Sequence, residues 1–441
     1  MKQLFFTTIC LLFSYKNFGQ KPWTIYECIN YGKEHSLLVK RDNYDLLIQS
    51  KNLEIAKRDI LPSISANLNN VSTFGQDQDI FGDIKRNDNL NSTSRVGGQI
   101  TLFNNGKLRK NISKNQFDTN ASIYELEATQ IEISAQILQA YLQVLLNKDI
   151  AKANESSVDN AKKLYLKAVS ATELGITPKT VEYEAKANLT REEQKLQIAN
   201  NDVSRNLLDL AILLQLDDYE DFDIEDIEFS LNDPKNFRIP DLKNLIESSY
   251  TYSPTLKSFE DKIKSYKIQT EIIKTGLSPT VTLNADVGTF YFNSLVREND
   301  DNFFKQYGLH FSQQVVIRVN IPIFNKGITN LQIERSKLNE GATNNLLNIE
   351  KQKVRQTIQK NFFELKTNYE NYIKSIEVEK NTRLSFELAE QSFMEGFTTI
   401  YDLNISRNNW VATVSNTIQF RYKYLFSLNL LYLYTGEPIQ L

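Results

Sequence analysis

The sequence predicts a mainly α-helical chain with a small amount of β-structure, arranged in two similar halves. Two runs of about 67 residues contain almost no proline or glycine, and the 441-residue chain has only 9 prolines and 15 glycines. Because these residues interrupt helices, their scarcity favours long helices. Other short segments alternate between apolar and polar residues, which is the period of a β-strand.

Residues 1–20 are predicted to be a secretory signal peptide. Lys2 supplies a positive n-region, residues 4–13 form a short apolar stretch, and the small Gly19 suits a cleavage site. The alternative is a buried first helix. Removal of the signal would leave Cys28 as the single cysteine, which excludes an internal disulfide and a cysteine-based metal site.

An internal duplication organises the rest of the chain. Residues 60–64 resemble residues 277–281, which lie 217 positions later, and residues 102–106 resemble residues 323–327 at a distance of 221. The second spacing also separates Leu174-Gly175 from Glu395-Gly396. One four-residue insertion explains both spacings, so each half is predicted to contain the same succession of elements.

The duplication predicts a domain organisation in which two structural repeats follow the signal. The first repeat covers residues 21–216 and the second covers residues 241–441. Each is predicted to contain a helix, two strands and a long helical hairpin. Residues 217–240 form an acidic linker with prolines at 234 and 240, which predicts a surface connection between the repeats.

Four strands are predicted, two in each half. The clearest lies at residues 315–323, where the apolar residues are Val315, Ile317, Val319, Ile321 and Ile323. Residues 281–287, 64–68 and 96–102 alternate in the same way. Each strand pair encloses a predicted polar loop, at residues 75–93 and 293–306, and aromatic residues crowd the loop ends: Phe74, Phe290, Tyr291, Phe292, Phe303, Phe304 and Tyr307.

Strands of about ten residues with aromatic girdles are typical of outer-membrane barrels. The alternative is an ordinary antiparallel sheet packed on helices. No stretch of 18 apolar residues beyond the signal could form a transmembrane helix, so an exported membrane protein of this sequence would need a closed barrel. Four strands cannot close one, and the chain is therefore expected to supply its strands to an oligomer.

The two long runs, residues 108–174 and 328–395, predict helices of roughly 100 Å at 1.5 Å per residue. Return helices are predicted at residues 178–216 and 400–434. An apolar stripe with coiled-coil spacing predicts the packed face of the first long helix: Ile133, Ile137, Ala140, Tyr141, Leu142, Val144, Leu145, Ala151, Val158, Ala161 and Ala168.

Tight turns are predicted where each long helix reverses, at residues 175–178 and 396–399. Thr177 before Pro178 predicts an N-cap followed by proline at the first helical position. Thr399 with Asp402 three residues later predicts a capping box. Both patterns indicate that a new helix starts directly after a glycine turn.

These features together resemble the TolC family of outer-membrane efflux and secretion channels. The resemblance covers residues 25–216 and 241–434, nearly the whole mature chain. The segments that carry it are residues 61–64, the paired motifs at 102–107 and 321–327, the tip at 393–403 and the closing segment at 424–436. It implies a TolC-like trimer with a 12-stranded β-barrel, four strands per chain, continued by a long α-helical coiled-coil periplasmic barrel.

The resemblance implies a function and partners. Such a chain is expected to act as the outer-membrane exit duct of a tripartite efflux pump or a type I secretion system, passively exporting small molecules or protein. Its expected partners are two further copies, a periplasmic adaptor protein, an inner-membrane pump and outer-membrane lipid. Most of its mass is expected in the periplasm of a Gram-negative-type cell. A periplasmic coiled-coil scaffold or adaptor without a pore is the alternative.

The resemblance also implies functional residues at the tips. Asp402 is expected at the channel gate, where three copies would raise one another's pKa by repulsion. The alternative is that its carboxylate serves only to cap a helix. Ile405, Thr398 and Val181 depart from residues that some family members carry there. Adaptor contact is expected at the tip residues Leu174, Gly175, Ile176, Thr177, Glu395, Gly396, Phe397, Thr398 and Thr399.

Enzyme signatures are not found in the sequence. His35 and His310 are the only histidines, and each is interpreted as a surface or capping residue. No phosphate-binding loop, nucleophile elbow or cluster of metal ligands occurs, so no cofactor is expected. Lys and Arg total 51 against 54 Asp and Glu, and this balance gives no reason to expect nucleic acid as a partner.

Overall fold

The computed structural model describes residues 21–78, 80–217, 219–227, 239–296 and 302–440. The predicted signal peptide lies outside the described residues. So do Asp79 in the first predicted loop, residues 218 and 228–238 of the acidic linker, residues 297–301 of the second loop, and Leu441. Two compact units are present: the described parts of Met1–Arg41, Glu127–Ser253 and Gln352–Leu441, and the described parts of Asp42–Leu126 and Pro254–Lys351.

The described elements follow one another in an order that nearly repeats itself. They are α1 (Ile25–His35), α2 (Leu37–Arg58), β1 (Ser63–Thr73), β2 (Gln76–Gln78), β3 (Ile84–Arg86), β4 (Asn89–Phe103), α3 (Lys107–Glu173), α4 (Lys179–Leu214), α5 (Leu242–Tyr252), α6 (Pro254–Lys274), β5 (Thr280–Ser294), α7 (Phe303–Leu309), β6 (Ser312–Asn320), α8 (Ile328–Met394) and α9 (Ile400–Thr435).

The predicted long helices are confirmed. Helices α3 and α8 each have 67 residues, and the return helices α4 and α9 each have 36. Helix α4 ends two residues before the predicted boundary because Gln215 adopts a left-handed conformation, with φ at 59°, that stops the helix. None of the described helices is apolar over enough of its length to cross a membrane.

The apolar stripe predicted on α3 forms part of the core of the first unit. Ile137 and Tyr141 are fully buried, and Leu145 nearly so. The Tyr141 hydroxyl donates to the backbone oxygens of Trp23 and Glu225, at 3.2 Å each. The buried face of α3 therefore also holds Trp23, which precedes α1, and Glu225 of the linker in place.

The described part of the acidic linker packs against α3 through charge. Lys148 lies 2.6 Å from Asp223, and Lys152 lies 2.7 Å from Asp226. Ile224 is buried and forms a parallel β-bridge with Trp23. Burial alone would raise the pKa of Asp226, but the bonds from Lys152 and Lys148 outweigh it, so the pKa lies below its ordinary value.

The second unit contains a four-stranded antiparallel sheet in the order β1-β4-β5-β6. Strand β6 ends at Asn320 and does not reach the predicted Ile323, because Pro322 has no N–H to donate to a ladder. The predicted loop at residues 75–93 is also wrong in part. Strand β4 already begins at Asn89, and β2 and β3 form a small separate hairpin.

The strand register separates the sheet into an apolar and a polar face. The apolar face carries Ile64, Ala66, Leu68, Val96, Ile100, Val281, Leu283, Val287, Val315, Ile317 and Val319. The polar face carries Ser65, Asn67, Asn69, Arg95, Gln99, Asn284, Asp286, Gln314 and Arg318. Arg95 and Asp286 form an ion pair across it at 3.4 Å.

Gly97 and Gly98 lie inside β4, and glycine in a strand interior indicates close packing or a bulge. A side chain at Gly98 would place its Cβ 3.3 Å from the Ser63 carbonyl oxygen, and one at Gly97 would lie 3.1 Å from the Asp286 Cβ. Close packing is confirmed at both positions. The register shift in this strand lies elsewhere, between Thr101 and Phe103.

Candidate functional site at the helical hairpin tips

Both helical hairpins reverse through the same backbone geometry. At the first tip the Ile176 N–H donates to the Ala171 carbonyl at 2.9 Å, and Gly175 donates to Thr172 at 3.0 Å. At the second tip Phe397 donates to Ser392 at 2.9 Å, and Gly396 donates to Phe393 at 3.1 Å. This pattern is the Schellman motif, which satisfies carbonyls at a helix end.

Gly175 and Gly396 make these reversals possible. Their φ angles are 71° and 82°, in the left-handed region that other residues adopt only with strain. The residues directly after these glycines, Ile176 and Phe397, are not covered by the flanking helices.

Large apolar side chains project from both tips. Leu174 and Ile176 are 75% and 72% exposed at the first tip, and Phe397 is 82% exposed at the second. Single exposed apolar residues are ordinary on a protein surface, but clusters of them mark interaction sites. Apolar surface buried in an interface contributes about 25 cal/mol per Å², so these side chains can supply binding energy.

The two helices that follow the tips begin differently. Thr399 is the N-cap of α9, as predicted, and its hydroxyl oxygen accepts from the Asp402 N–H at 3.2 Å. The prediction that Thr177 caps α4 is wrong. Pro178 occupies the N-cap position with an extended ψ of 154°, and no side chain caps the helix. The Thr177 hydroxyl instead lies 3.2 Å from the Thr172 hydroxyl.

Asp402 is exposed in the first turn of α9 and is held by two threonines. The Thr399 hydroxyl donates to its carboxylate at 2.6 Å, and the Thr398 hydroxyl lies at 3.3 Å. The bond from Thr399 lowers the pKa of Asp402 below its ordinary value. In a complete capping box the Asp402 carboxylate would accept from the Thr399 backbone N–H. Here it accepts from the Thr399 hydroxyl instead.

A buried ion pair lies between α4 and α9. Arg407 and Glu192 are each only 1% exposed, and their Nη2 and Oε1 atoms are 3.0 Å apart. Arg407 also donates to the Asn188 side chain at 3.1 Å, and Lys195 donates to Glu192 at 3.0 Å. Burial lowers the pKa of Arg407 from its ordinary value, against the attraction of Glu192.

The hydrogen bonding of this ion pair is incomplete. Among the described residues, Arg407 Nε and Nη1 and Glu192 Oε2 have no hydrogen-bond partner. Buried charges with unfilled hydrogen bonds are costly. The net contribution of the intact pair to stability is therefore small, although loss of one partner would leave an uncompensated buried charge.

An apolar cluster packs α3, α8 and α9 together in the same unit. Leu164, Phe386 and Leu403 are buried, and Trp410 stacks on Phe386 with ring centroids 5.2 Å apart. Leu403 is the residue directly after Asp402. The backbone that presents the Asp402 carboxylate is therefore anchored to the core by its neighbour.

The other candidate residues are placed outside this site. His35 bonds through Nδ1 to the Tyr31 carbonyl at 3.0 Å, and His310 bonds in the same way to Phe290 at 2.9 Å. Cys28 is free and fully buried, and burial raises the pKa of its thiol to about 12. In the part of the chain that is described, no group of His, Cys, Asp and Glu could hold a metal ion.

Comparison with known proteins identifies the family. A sequence model described as outer membrane efflux protein matches residues 49–214 and 245–437, which is most of the chain. The chain belongs to the outer membrane efflux protein family. A comparison with curated protein sequences finds no match.

Solved structures show the fold of this efflux-protein chain. It resembles the VceC outer-membrane protein of Vibrio cholerae, with a TM-score of 0.74, 14% identity, and coverage of 94% of this chain and 97% of that one. The CmeC outer-membrane channel of Campylobacter jejuni matches with a TM-score of 0.72 and 17% identity, and the match covers 93% of this chain and 85% of that one. The open-state MtrE channel of Neisseria gonorrhoeae matches with a TM-score of 0.69 and 14% identity, and the match covers 94% of this chain and 89% of that one.

These findings confirm the expected membership of the TolC family and the expected fold class. The efflux protein is an exit channel of the outer membrane. The pore-free scaffold is not favoured. Family members and structural neighbours are channels rather than enzymes, and efflux channels of this family are homotrimers that work with adaptor and pump partners.

Proposed function

We propose that three copies of this chain assemble into one passive export duct, to which each copy contributes its four strands and its two helical hairpins. The duct has no catalytic step and no cofactor of its own. It exports small molecules or protein that an inner-membrane pump delivers through a periplasmic adaptor.

The sheet carries this proposal. Its polar face bears an ion pair and amide side chains, and its apolar face bears branched aliphatic side chains. This alternation is that of a barrel with lipid outside and water inside. Strands β1 and β6 each pair on one edge only within the sheet. Unpaired edges in lipid cost several kcal/mol per backbone group, and pairing with neighbouring copies removes that cost.

The proposal is tested by electron microscopy of the protein purified in detergent. A hollow particle with three-fold symmetry is expected, with a helical tunnel of roughly 100 Å as set by 67-residue helices. A solid rod, or a monomer, would overturn the duct and restore the pore-free scaffold. Mass photometry of the same sample, which counts copies independently of shape, serves as the control.

The hairpin tips are proposed to contact the adaptor. The residues concerned are Leu174, Gly175, Ile176 and Thr177 at the first tip, and Glu395, Gly396, Phe397, Thr398 and Thr399 at the second. Their support is the pair of matching glycine turns and the exposed apolar side chains of Leu174, Ile176 and Phe397. A periplasmic helical hairpin with apolar tips of its own would bury these side chains.

Asp402 is proposed to lie at the channel gate, where three copies form a ring of carboxylates. Its support is an exposed carboxylate that is fixed in direction by Thr398 and Thr399 and anchored through Leu403. Within one chain the threonine bonds lower the pKa of Asp402, whereas repulsion among three copies would raise it.

The gate proposal predicts a pH-dependent conductance. Cation current should fall as pH drops through the pKa of Asp402, because the ring then loses its charge. Thr399→Val removes the donated hydroxyl bond and should move the midpoint of this fall to higher pH. The bond from the Thr399 hydroxyl also stabilises the folded chain at pH values above the pKa that Asp402 has in the unfolded chain. This stabilisation is lost as pH falls through the pKa that Asp402 has in the folded chain.

Planar-bilayer recordings between pH 3 and pH 7 measure the midpoint. Thr399→Ser keeps the hydroxyl and should behave as the parent protein. Asp402→Asn should abolish the pH-dependent step and lower cation selectivity. Unchanged selectivity and conductance in Asp402→Asn would show that the carboxylate serves only as part of a helix cap.

The predicted signal peptide and domain organisation belong to the same proposal. Equal lengths of α3 and α8, and of α4 and α9, support two repeats at residues 21–216 and 241–441 joined by the linker at 217–240. Residues 1–20 direct export of the chain and are then removed. N-terminal sequencing of the protein from outer membranes tests that cleavage.

A further inference from the structure

Strand β5 is longer than its neighbour β6, and this leaves part of one edge without a strand. The β5·β6 pairing runs from Thr280↔Asn320 to Gly288↔Ser312. Beyond Gly288, β5 continues to Ser294, and its ladder pairing within the described residues is with β4 on its other side. The backbone groups that face the β6 side of this extension need other partners, because unpaired groups near lipid are costly.

Helix α7 and the residue after it supply those partners through side chains. The buried Gln306 accepts from the Phe292 N–H through Oε1 at 3.1 Å. His310 Nδ1 lies 2.9 Å from the Phe290 carbonyl oxygen, which can only accept, so the bond requires a proton on Nδ1. Side chains of α7 and of His310 therefore bond to the part of the β5 edge that β6 does not reach.

The register shows on which face of the sheet α7 lies. The Tyr307 hydroxyl is 2.7 Å from the Ser94 hydroxyl, and the Thr289 hydroxyl donates to the Tyr307 carbonyl at 2.7 Å. Ser94 pairs with Thr289 and with Leu68, and all three positions belong to the apolar face. Helix α7 thus covers polar hydroxyls on the face that otherwise carries Val96, Val287 and Val315.

The position along the strands places α7 at the margin of the apolar band. From Val281 on the apolar face to Thr289, which pairs with Ser94, β5 advances eight residues, or about 27 Å at 3.4 Å per residue. With the usual strand tilt of about 40°, this corresponds to roughly 20 Å of the approximately 25 Å apolar band of an outer-membrane barrel. Ser94 therefore lies where hydrocarbon gives way to headgroups.

Large apolar side chains are exposed on α7 and just after it. Phe304 is 84% exposed, and Leu309 and Phe311 are also exposed, while Phe303 packs on Tyr291 with ring centroids 5.0 Å apart. We propose that α7 is an interfacial anchor: it caps the edge of β5 beyond Gly288 and inserts Phe304 into the boundary between lipid headgroups and acyl chains. Lipid is the occupant because α7 continues the lipid-facing surface of the sheet, and aromatic side chains favour this boundary.

Site-directed spin labelling tests the anchor in the full chain reconstituted in phosphatidylcholine vesicles with a small fraction of nickel-chelating lipid. All variants carry Cys28→Ala. The label is placed at Phe304→Cys, with Val315→Cys as the lipid-facing control at the centre of the apolar face and Gln314→Cys as the lumen-facing control on the neighbouring residue. All three retain the contacts that hold α7 on the sheet.

The label at position 304 is expected to relax most strongly with the nickel-chelating lipid, because it lies at headgroup depth. The label at Val315 should respond most to oxygen, and the label at Gln314 to a water-soluble nickel chelate. A position-304 label that responds only to the soluble chelate would overturn the anchor and place α7 in water. Dipolar broadening between fully labelled chains would instead show that Phe304 contacts a second copy.

The capping role of α7 has a separate readout. Gln306→Ala removes the acceptor of the Phe292 N–H and should increase the mobility of the position-304 label, as sharper spectral lines. The control Lys305→Ala changes the adjacent side chain and leaves that bond in place. Equal line shapes for Gln306→Ala and the parent would show that the side-chain cap does not hold α7 on the sheet.

Discussion

Replacement of Arg407 by alanine is expected to lower the free energy of unfolding of the helical part by about 3–5 kcal/mol. The Glu192 carboxylate would remain buried, and Lys195 would be its remaining charged partner among the described residues. An uncompensated buried charge is far more costly than the net energy of the pair that neutralised it. Urea unfolding of the detergent-solubilised protein, followed by circular dichroism at 222 nm, measures the change.

Two variants separate the buried charge from general damage. Lys195→Ala removes a half-exposed partner of the same carboxylate, and exposed ion pairs contribute only about 0–1 kcal/mol. Arg407→Met combined with Glu192→Leu replaces both charges by apolar side chains and should recover most of the lost stability. Equal effects of Arg407→Ala and Lys195→Ala would contradict the burial of the pair.

The same ion pair shows where reasoning from sequence fails. Glu192 lies in the run Arg191-Glu192-Glu193, and charges on a long amphipathic helix are usually solvated. Only the approach of α9 to α4 buries one of them, and no spacing along either helix reveals that approach. The apolar stripe of α3 was predictable because its period alone identifies the buried face.

Local chemistry explains which ends were predicted well. Thr399 caps α9 as its sequence indicates, because the threonine and the aspartate three residues on form a self-contained pattern. Thr177 fails to cap α4 because Pro178 itself takes the extended N-cap conformation. A proline fixes its own φ but leaves ψ free, so the first helical residue cannot be read from its position alone.

The early start of β4 was missed for a related reason. Ser92 and Ser94 are polar but occupy the apolar face of the sheet, so the alternation that identifies a strand disappears from residues 89–95. Tyr307 of α7 lies against their hydroxyls, a contact made from over 200 residues away in the sequence. A polar segment whose covering helix lies so far away in the sequence is therefore easily predicted as a loop.

Replacing Val315 by arginine should reduce membrane assembly severely. Val315 pairs with Ala285 at the centre of the apolar face, and an arginine facing lipid near the midplane costs about 2–4 kcal/mol per chain. In a trimer the cost is incurred three times. The yield of folded protein in outer membranes, measured by heat-modifiable migration on gels, is expected to fall by at least tenfold, since about 1.4 kcal/mol corresponds to one factor of ten.

Gln314→Arg is the matched control, because it places the same side chain on the neighbouring residue of the same strand. Gln314 pairs with Asp286 on the polar face, where an added guanidinium finds a carboxylate and water. Its yield should match that of the parent protein, and only the ion selectivity of the channel should change. If both arginines were tolerated equally, the apolar face would not contact lipid. If Gln314→Arg alone abolished assembly, the two faces would be assigned in reverse.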